Sequence, residues 1–156
     1  EILIGLVGSE MCIRDSRDEV GFDEIKKKVV NPLTGKKIGA YYGCLLLRPG
    51  KIMAFDNPEN PTIMEDFIRA LGAEPVVYPY RNECCGGYIS LKEKEMAQNM
   101  CEKIMDSAKR FEADMLITAC PLCMYNLKKN GNGDLPVYYF TELLAEALGV
   151  KEEVAK

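Results

Sequence analysis

From Gly35 onward the chain alternates short apolar segments with longer amphipathic ones, and this restricts the fold more than any other feature. "KKIGAYYGCLLL" (36–47) sets Ile38, Tyr41, Tyr42 and Leu45 in a β-forming run and predicts a buried strand ending near Cys44. "PTIMEDFIRALGAE" predicts a helix with a Thr62/Glu65 capping box, an apolar face of Ile63, Phe67, Ile68 and Leu71, and Gly72 as its stop. "EPVVYPY" is a second strand. Ser90 and Glu93 form another capping box before a long helix from Leu91 to Phe111, with a stripe of Ala97, Met100, Cys101, Ile104, Ala108 and Phe111. "ADMLITAC" is a third strand, and "PLCMYNLKK" a short helix with Pro121 first, where a missing N–H costs nothing. "LPVYYF" is a fourth strand, followed by a helix from the Thr141 cap to Gly149. Strand–helix alternation of this kind predicts an α/β fold: a mainly parallel four-stranded sheet with flanking helices and right-handed crossovers. "RPGKIMAFDNPENP" is a long Pro/Asn loop after the first strand, the kind that borders functional edges.

Bulk properties exclude several functions. A formal net charge of −4, with Lys and Arg scattered, argues against nucleic acid as a partner. No apolar run approaches the ~18 residues of a membrane span. "EILIGLVGSEMCIRDSRDE" carries acids where a secretory leader has a basic segment, so a cytoplasmic location is expected.

Within that segment, "LVGSEMCIRDS" (Leu6 to Ser16) resembles the in-frame translation of a sequencing adapter. Read as a scar, it removes Cys12 from the site argument and makes the chain a fragment. The expected division is an artefactual or disordered N-terminus over 1–19, one domain over 20–150 and a tail over 151–156. The alternative is a genuine first strand, "EILIGLV".

The chain has seven cysteines, at 12, 44, 84, 85, 101, 120 and 123, and no histidine. Without imidazole there is no Cys–His nucleophile and no mixed Cys–His zinc site, so any chemistry runs on sulfur. With no export signal, metal or redox use outranks a disulfide framework. Cys101 falls on the apolar stripe of its helix and reads as core. The other five sit at or beyond strand ends: Cys44 at the end of the first, Cys84 and Cys85 in the loop after the second, Cys120 at the end of the third and Cys123 in the first turn of the next helix. The carboxyl ends of parallel strands share one edge, so these five are expected on one rim. Cys123, in a first helical turn, feels the positive helix end, which favours thiolate. Gly86 and Gly87 allow close backbone approach and offer N–H donors to sulfur. Vicinal thiolates can reach two metal ions, or one sulfur can bridge a pair. Five ligands exceed the four of a zinc ion or cubane cluster. Buried structural thiols, a zinc on four of the five and a C-P-x-C dithiol remain open on residues alone. Arg48, just past Cys44, either meets an anionic substrate or ties down its loop.

The pattern Cys44-x39-Cys84-Cys85-Gly86-x33-Cys120-Pro121-x-Cys123 resembles the cysteine-rich CCG domain of redox proteins. "NPLTGKKIGAYYGCLLLRPG", "DNPENPTIMEDFIRALGAEPVVYPY", "ECCGG" and "ACPLCMYNL" are similar to the C-terminal half of the heterodisulfide reductase B subunit, from about Val20 to Leu148. The resemblance implies a Rossmann-like CCG domain. It also implies a noncubane [4Fe–4S] cluster on Cys44, Cys84, Cys85, Cys120 and Cys123, with zinc as the alternative. It further implies a small-molecule disulfide substrate of the coenzyme M–coenzyme B type, as used in methanogenesis. The implied partners are two other heterodisulfide reductase-like subunits, one flavin-bearing and one ferredoxin-like. Only one of the family's two CCG motifs is present, so the chain alone is expected to be inactive. "LLRP" after Cys44 favours this family over CCG subunits of lactate, glycerol-phosphate or succinate oxidation.

Overall fold

The computed structural model describes residues 13–150; Cys12 and the 151–156 tail lie outside the described residues. Four strands form one all-parallel sheet: β1 (Lys37–Tyr41), β2 (Glu74–Val76), β3 (Met115–Thr118) and β4 (Val137–Tyr139). Their order is β2-β1-β3-β4, with Gly39 opposite Val76 on one side and Leu116 on the other. The chain steps outward from β1 to β2, then returns across β1 to β3. The direction of winding therefore reverses between β1 and β3, where open α/β sheets form a crevice at their carboxyl ends.

Side-chain alternation along the strands splits the core in two. Ile38, Ala40, Tyr42, Ile117 and Ala119 face one side, packed against α1 (Phe22–Lys28), α2 (Ile63–Ala70) and α5 (Phe140–Leu148). Tyr41 and Leu116 face the other, against α3 (Lys94–Arg110) and α4 (Pro121–Asn130). Both faces are covered, as parallel strands require. Neighbouring tyrosines, Tyr41 and Tyr42, thus point to opposite cores.

Several element ends differ from expectation. β1 stops at Tyr41, because Gly43 turns left-handed (φ 66°) and the N–H groups of Tyr42 and Gly43 donate to the Arg81 carbonyl. The Thr62/Glu65 capping box does not form. The Asp56 carboxylate instead accepts from the N–H groups of Thr62 and Ile63, at 2.7 and 2.8 Å, and Glu65 turns inward. Ser90 donates to the Gly87 carbonyl, and α3 starts only at Lys94. Phe111, placed on the apolar stripe, is exposed, as is Met96, whereas Met105 is buried. Helix α1 went unanticipated: it is seven residues long with one buried anchor, Ile25, and its Lys26–Lys28 run is exposed. In the stretch resembling an adapter, Ile13 is buried in the first core and the Arg14 guanidinium donates to the Met53 carbonyl.

Candidate metal centre

The five thiols predicted to meet do meet. Cys44, Cys84, Cys85, Cys120 and Cys123 line one shallow depression at the carboxyl edge of the sheet, together with Leu45, Gly87, Tyr88 and Leu122. Each arrives by a different local device. Cys44 follows the left-handed Gly43, where a Cβ would stand 3.0 Å from Cys123 Sγ; only glycine lets the β1 exit pass that close. Cys84 and Cys85 follow a short 3₁₀ turn, Pro79–Asn82. Cys120 is the N-cap of α4, its sulfur accepting from Cys123 N–H at 3.4 Å. Cys101 lies outside the depression, fully buried beneath it. Arg48 ties down its loop: its guanidinium donates to the carbonyls of Asn82 (3.1 Å) and Pro58 (3.4 Å), joining the Pro/Asn loop to the Cys84 loop.

The thiols are not equivalent. Cys85 and Cys123 sulfurs lie 3.7 Å apart. The Cys123 thiol, with Asn126 and the Gly87 N–H, stabilises the Cys85 thiolate and lowers its pKa to about 6 despite burial. Cys120 is lowered to about 7, again chiefly by Cys123. Cys123 is correspondingly raised, because it donates to both neighbours and is buried. The proton therefore stays on the cysteine that its helical position alone marks as the thiolate. Burial raises Cys44 to about 11, helped by the charge of Cys84.

Sequence reasoning missed two groups of residues. On the α3/α4 side, buried Asn126 donates to the Cys85 carbonyl at 2.6 Å. The available signal was an asparagine one turn after Cys123 on the inward face of a short helix. On the other side, Glu65 is 2% exposed, accepts from the Tyr42 hydroxyl and lies 3.2 Å from Arg81 Nε. Glu65 read as a cap, so its partners 16 and more residues away were not visible.

The donor set tests what the rim could hold. Among the described residues, no three Cys, His, Asp or Glu side chains are grouped to hold a single metal ion. The thiols that border the depression are five, one more than a tetrahedral ion takes. Gly86 N–H donates to Cys84 Sγ at 3.3 Å, so a backbone donor faces one of the candidate ligand sulfurs. These features fit a polynuclear, thiolate-held group.

A doubly wound parallel sheet with five thiols at its switch point defines a cysteine-rich α/β domain. The sequence matches the family CCG, Cysteine-rich domain, over residues 38–128, and the chain belongs to that family. It is 34% identical over 137 residues to the 8-methylmenaquinol:fumarate reductase membrane anchor subunit of Wolinella succinogenes, covering 82% of this chain and 48% of that one. It is 28% identical over 142 residues to the B subunit of the ferredoxin:CoB-CoM heterodisulfide reductase of Methanosarcina mazei, covering 84% and 47%. A third relative, the B subunit of the fumarate reductase (CoM/CoB) of Methanothermobacter marburgensis, is 32% identical over 128 residues, 78% of this chain and 24% of its own. The chain thus spans about half the length of the first two relatives. One relative is named a membrane anchor; among the described residues no helix is long and apolar enough to cross a membrane.

Proposed function

We propose that this chain is the iron–sulfur portion of a multi-component, cytoplasmic reductase, equivalent to part of the heterodisulfide reductase B subunit. It would hold a noncubane [4Fe–4S] cluster through Cys44, Cys84, Cys85, Cys120 and Cys123. The observation that carries this reading is the convergence of five thiols, from three separated loops, on one depression. When bound, such a cluster supplies one-electron chemistry and a place for a substrate sulfur. The chain's own residues bind and orient. The Cys85 and Cys120 thiols are lowered towards the thiolate form, and Cys123 would have to give up its proton to act as a ligand, since the thiolate is the ligand. Gly86 offers its N–H to sulfur, while Leu45, Tyr88 and Leu122 border the opening with apolar surface. The substrate would be a small-molecule disulfide of the coenzyme M–coenzyme B type, reduced with electrons delivered by flavin-bearing and ferredoxin-like partner subunits.

The 34% identity to part of a fumarate reductase supports a second reading, in which the same domain passes electrons within a quinol:fumarate reductase. Iron and acid-labile sulfide analysis of anaerobically purified protein tests what the two readings share. About four irons and four sulfides per chain are expected, and one zinc without sulfide would replace both readings with a zinc-stabilised interaction module. Perturbation of the cluster's electron paramagnetic resonance by an added thiol would favour disulfide chemistry; its absence would favour electron transfer alone. Cys84→Ala should abolish the brown colour, whereas Cys101→Ala should retain the iron.

A further inference from the structure

Beneath the vicinal cysteines lies a buried polar lattice that ligand spacing does not require. The Cys85 carbonyl accepts from Asn126 Nδ2 at 2.6 Å and from the Cys101 thiol at 3.4 Å. Asn126 Oδ1 in turn accepts from Asn130 Nδ2 at 2.6 Å, and Asn126 Nδ2 also lies 3.4 Å from Cys101 Sγ. Asn126 is 1% exposed, Cys101 0% and Asn130 6%. An amide so fully withdrawn from water is tolerated only because it is bonded. Its effect reaches the rim through one rigid unit. The Cys85 C=O and the Gly86 N–H belong to the same planar peptide. Two donors holding the carbonyl inward turn the Gly86 N–H outward, where it meets Cys84 Sγ at 3.3 Å. Gly86 follows in the left-handed region (φ 75°), with Ala97 Cα 3.2 Å from where a Cβ would stand, so the turn lies close against α3 in a conformation that favours glycine.

Resting on the cluster-binding reading, we propose that Asn126, backed by Asn130 and Cys101, is a positioning residue. It sets the plane of the Cys85–Gly86 peptide and so aims an N–H at the Cys84 sulfur. A hydrogen bond to a ligand sulfur favours the reduced, more negative state of an iron–sulfur group, so the lattice holds the reduction potential up. Asn126→Ala should shift the midpoint potential to more negative values in a redox titration. Iron loss to a chelator should quicken by roughly tenfold, the scale for losing a supporting hydrogen bond behind a metal ligand. Unchanged potential and iron retention in a folded variant would overturn the proposal. Should that variant not fold, the Cys101 pair decides. Cys101→Ser keeps a donor to the Cys85 carbonyl and should match wild type; Cys101→Ala removes it and should lower the potential. Identical potentials in the two variants would overturn the proposal. In metal-free protein, Gly86 amide hydrogen exchange should accelerate several-fold in Asn126→Ala, and unaltered exchange would count against the lattice. Absence of iron in wild type would sink the cluster reading while leaving the exchange measurement to judge the peptide alone.

Discussion

The two sides of the sheet support the same rim by opposite electrostatics. Beneath the Cys44 loop, on the α2 side, the support is ionic: Tyr42 donates to Glu65, whose carboxylate faces Arg81 Nε at 3.2 Å. The Arg81 carbonyl also receives the N–H groups of Tyr42 and Gly43, so one residue joins the β1 exit to the β2 exit. Beneath the Cys84–Cys85 loop, on the α3/α4 side, the support is neutral, made of two asparagine amides and a thiol. A buried ion pair broken at one end leaves an uncompensated charge, whereas a broken neutral bond leaves only an unpaired dipole. The ionic side therefore governs whether the loops stay together, and the neutral side governs how one peptide is turned.

The largest expected effect follows from Arg81. Arg81→Ala strands Glu65, 2% exposed, without a counter-charge, and should cost about 3–5 kcal/mol in denaturant unfolding of metal-free protein. A loss no larger than that of Asn126→Ala would erase the distinction between the two sides. Asn126→Ala should itself cost about 1–3 kcal/mol, the desolvation left on the Cys85 carbonyl.

A smaller effect sharpens the contrast through pH. Burial raises the Glu65 pKa above its ordinary 4.5, with hydrogen bonds from Tyr42 and its own backbone, and the Arg81 charge, opposing the shift. A carboxyl raised on folding binds its proton more tightly in the native state, so the increment is present below 4.5 and is lost as pH rises through the folded value. Glu65→Gln lacks this dependence. The stability gap between wild type and Glu65→Gln should therefore narrow as pH rises from about 4 to 7, whereas the gap between wild type and Asn126→Ala should stay level at the acid end and widen above about 6, where Cys85, whose thiolate Asn126 stabilises, ionises. The smallest effect is expected away from both sides: Lys109→Ala, which breaks the exposed pair with Asp134, should leave the unfolding midpoint in place.

Much of the fold and the thiol set could be read directly. The strands around Ile38, Leu116 and Val137 announce themselves by local composition, and Pro121 marks the start of α4. Glu65 and Ser90 misled because a capping box and an inward-turned polar residue have the same local spelling; their partners, Tyr42 and Gly87, decide between the two. Asn126 was overlooked for a related reason. Its partner, the Cys85 carbonyl, is 41 residues away, and nothing in "CMYNL" records that distance.

By itself the sequence determined that five thiols would reach one edge, because strand direction and loop position are set by local periodicity and parallel strands end together. Only the tertiary structure decided which sulfur keeps its proton and which peptide is turned outward. Those outcomes rest on contacts between residues far apart in the chain: Cys123 between Cys85 and Cys120, and Asn126 under Cys85.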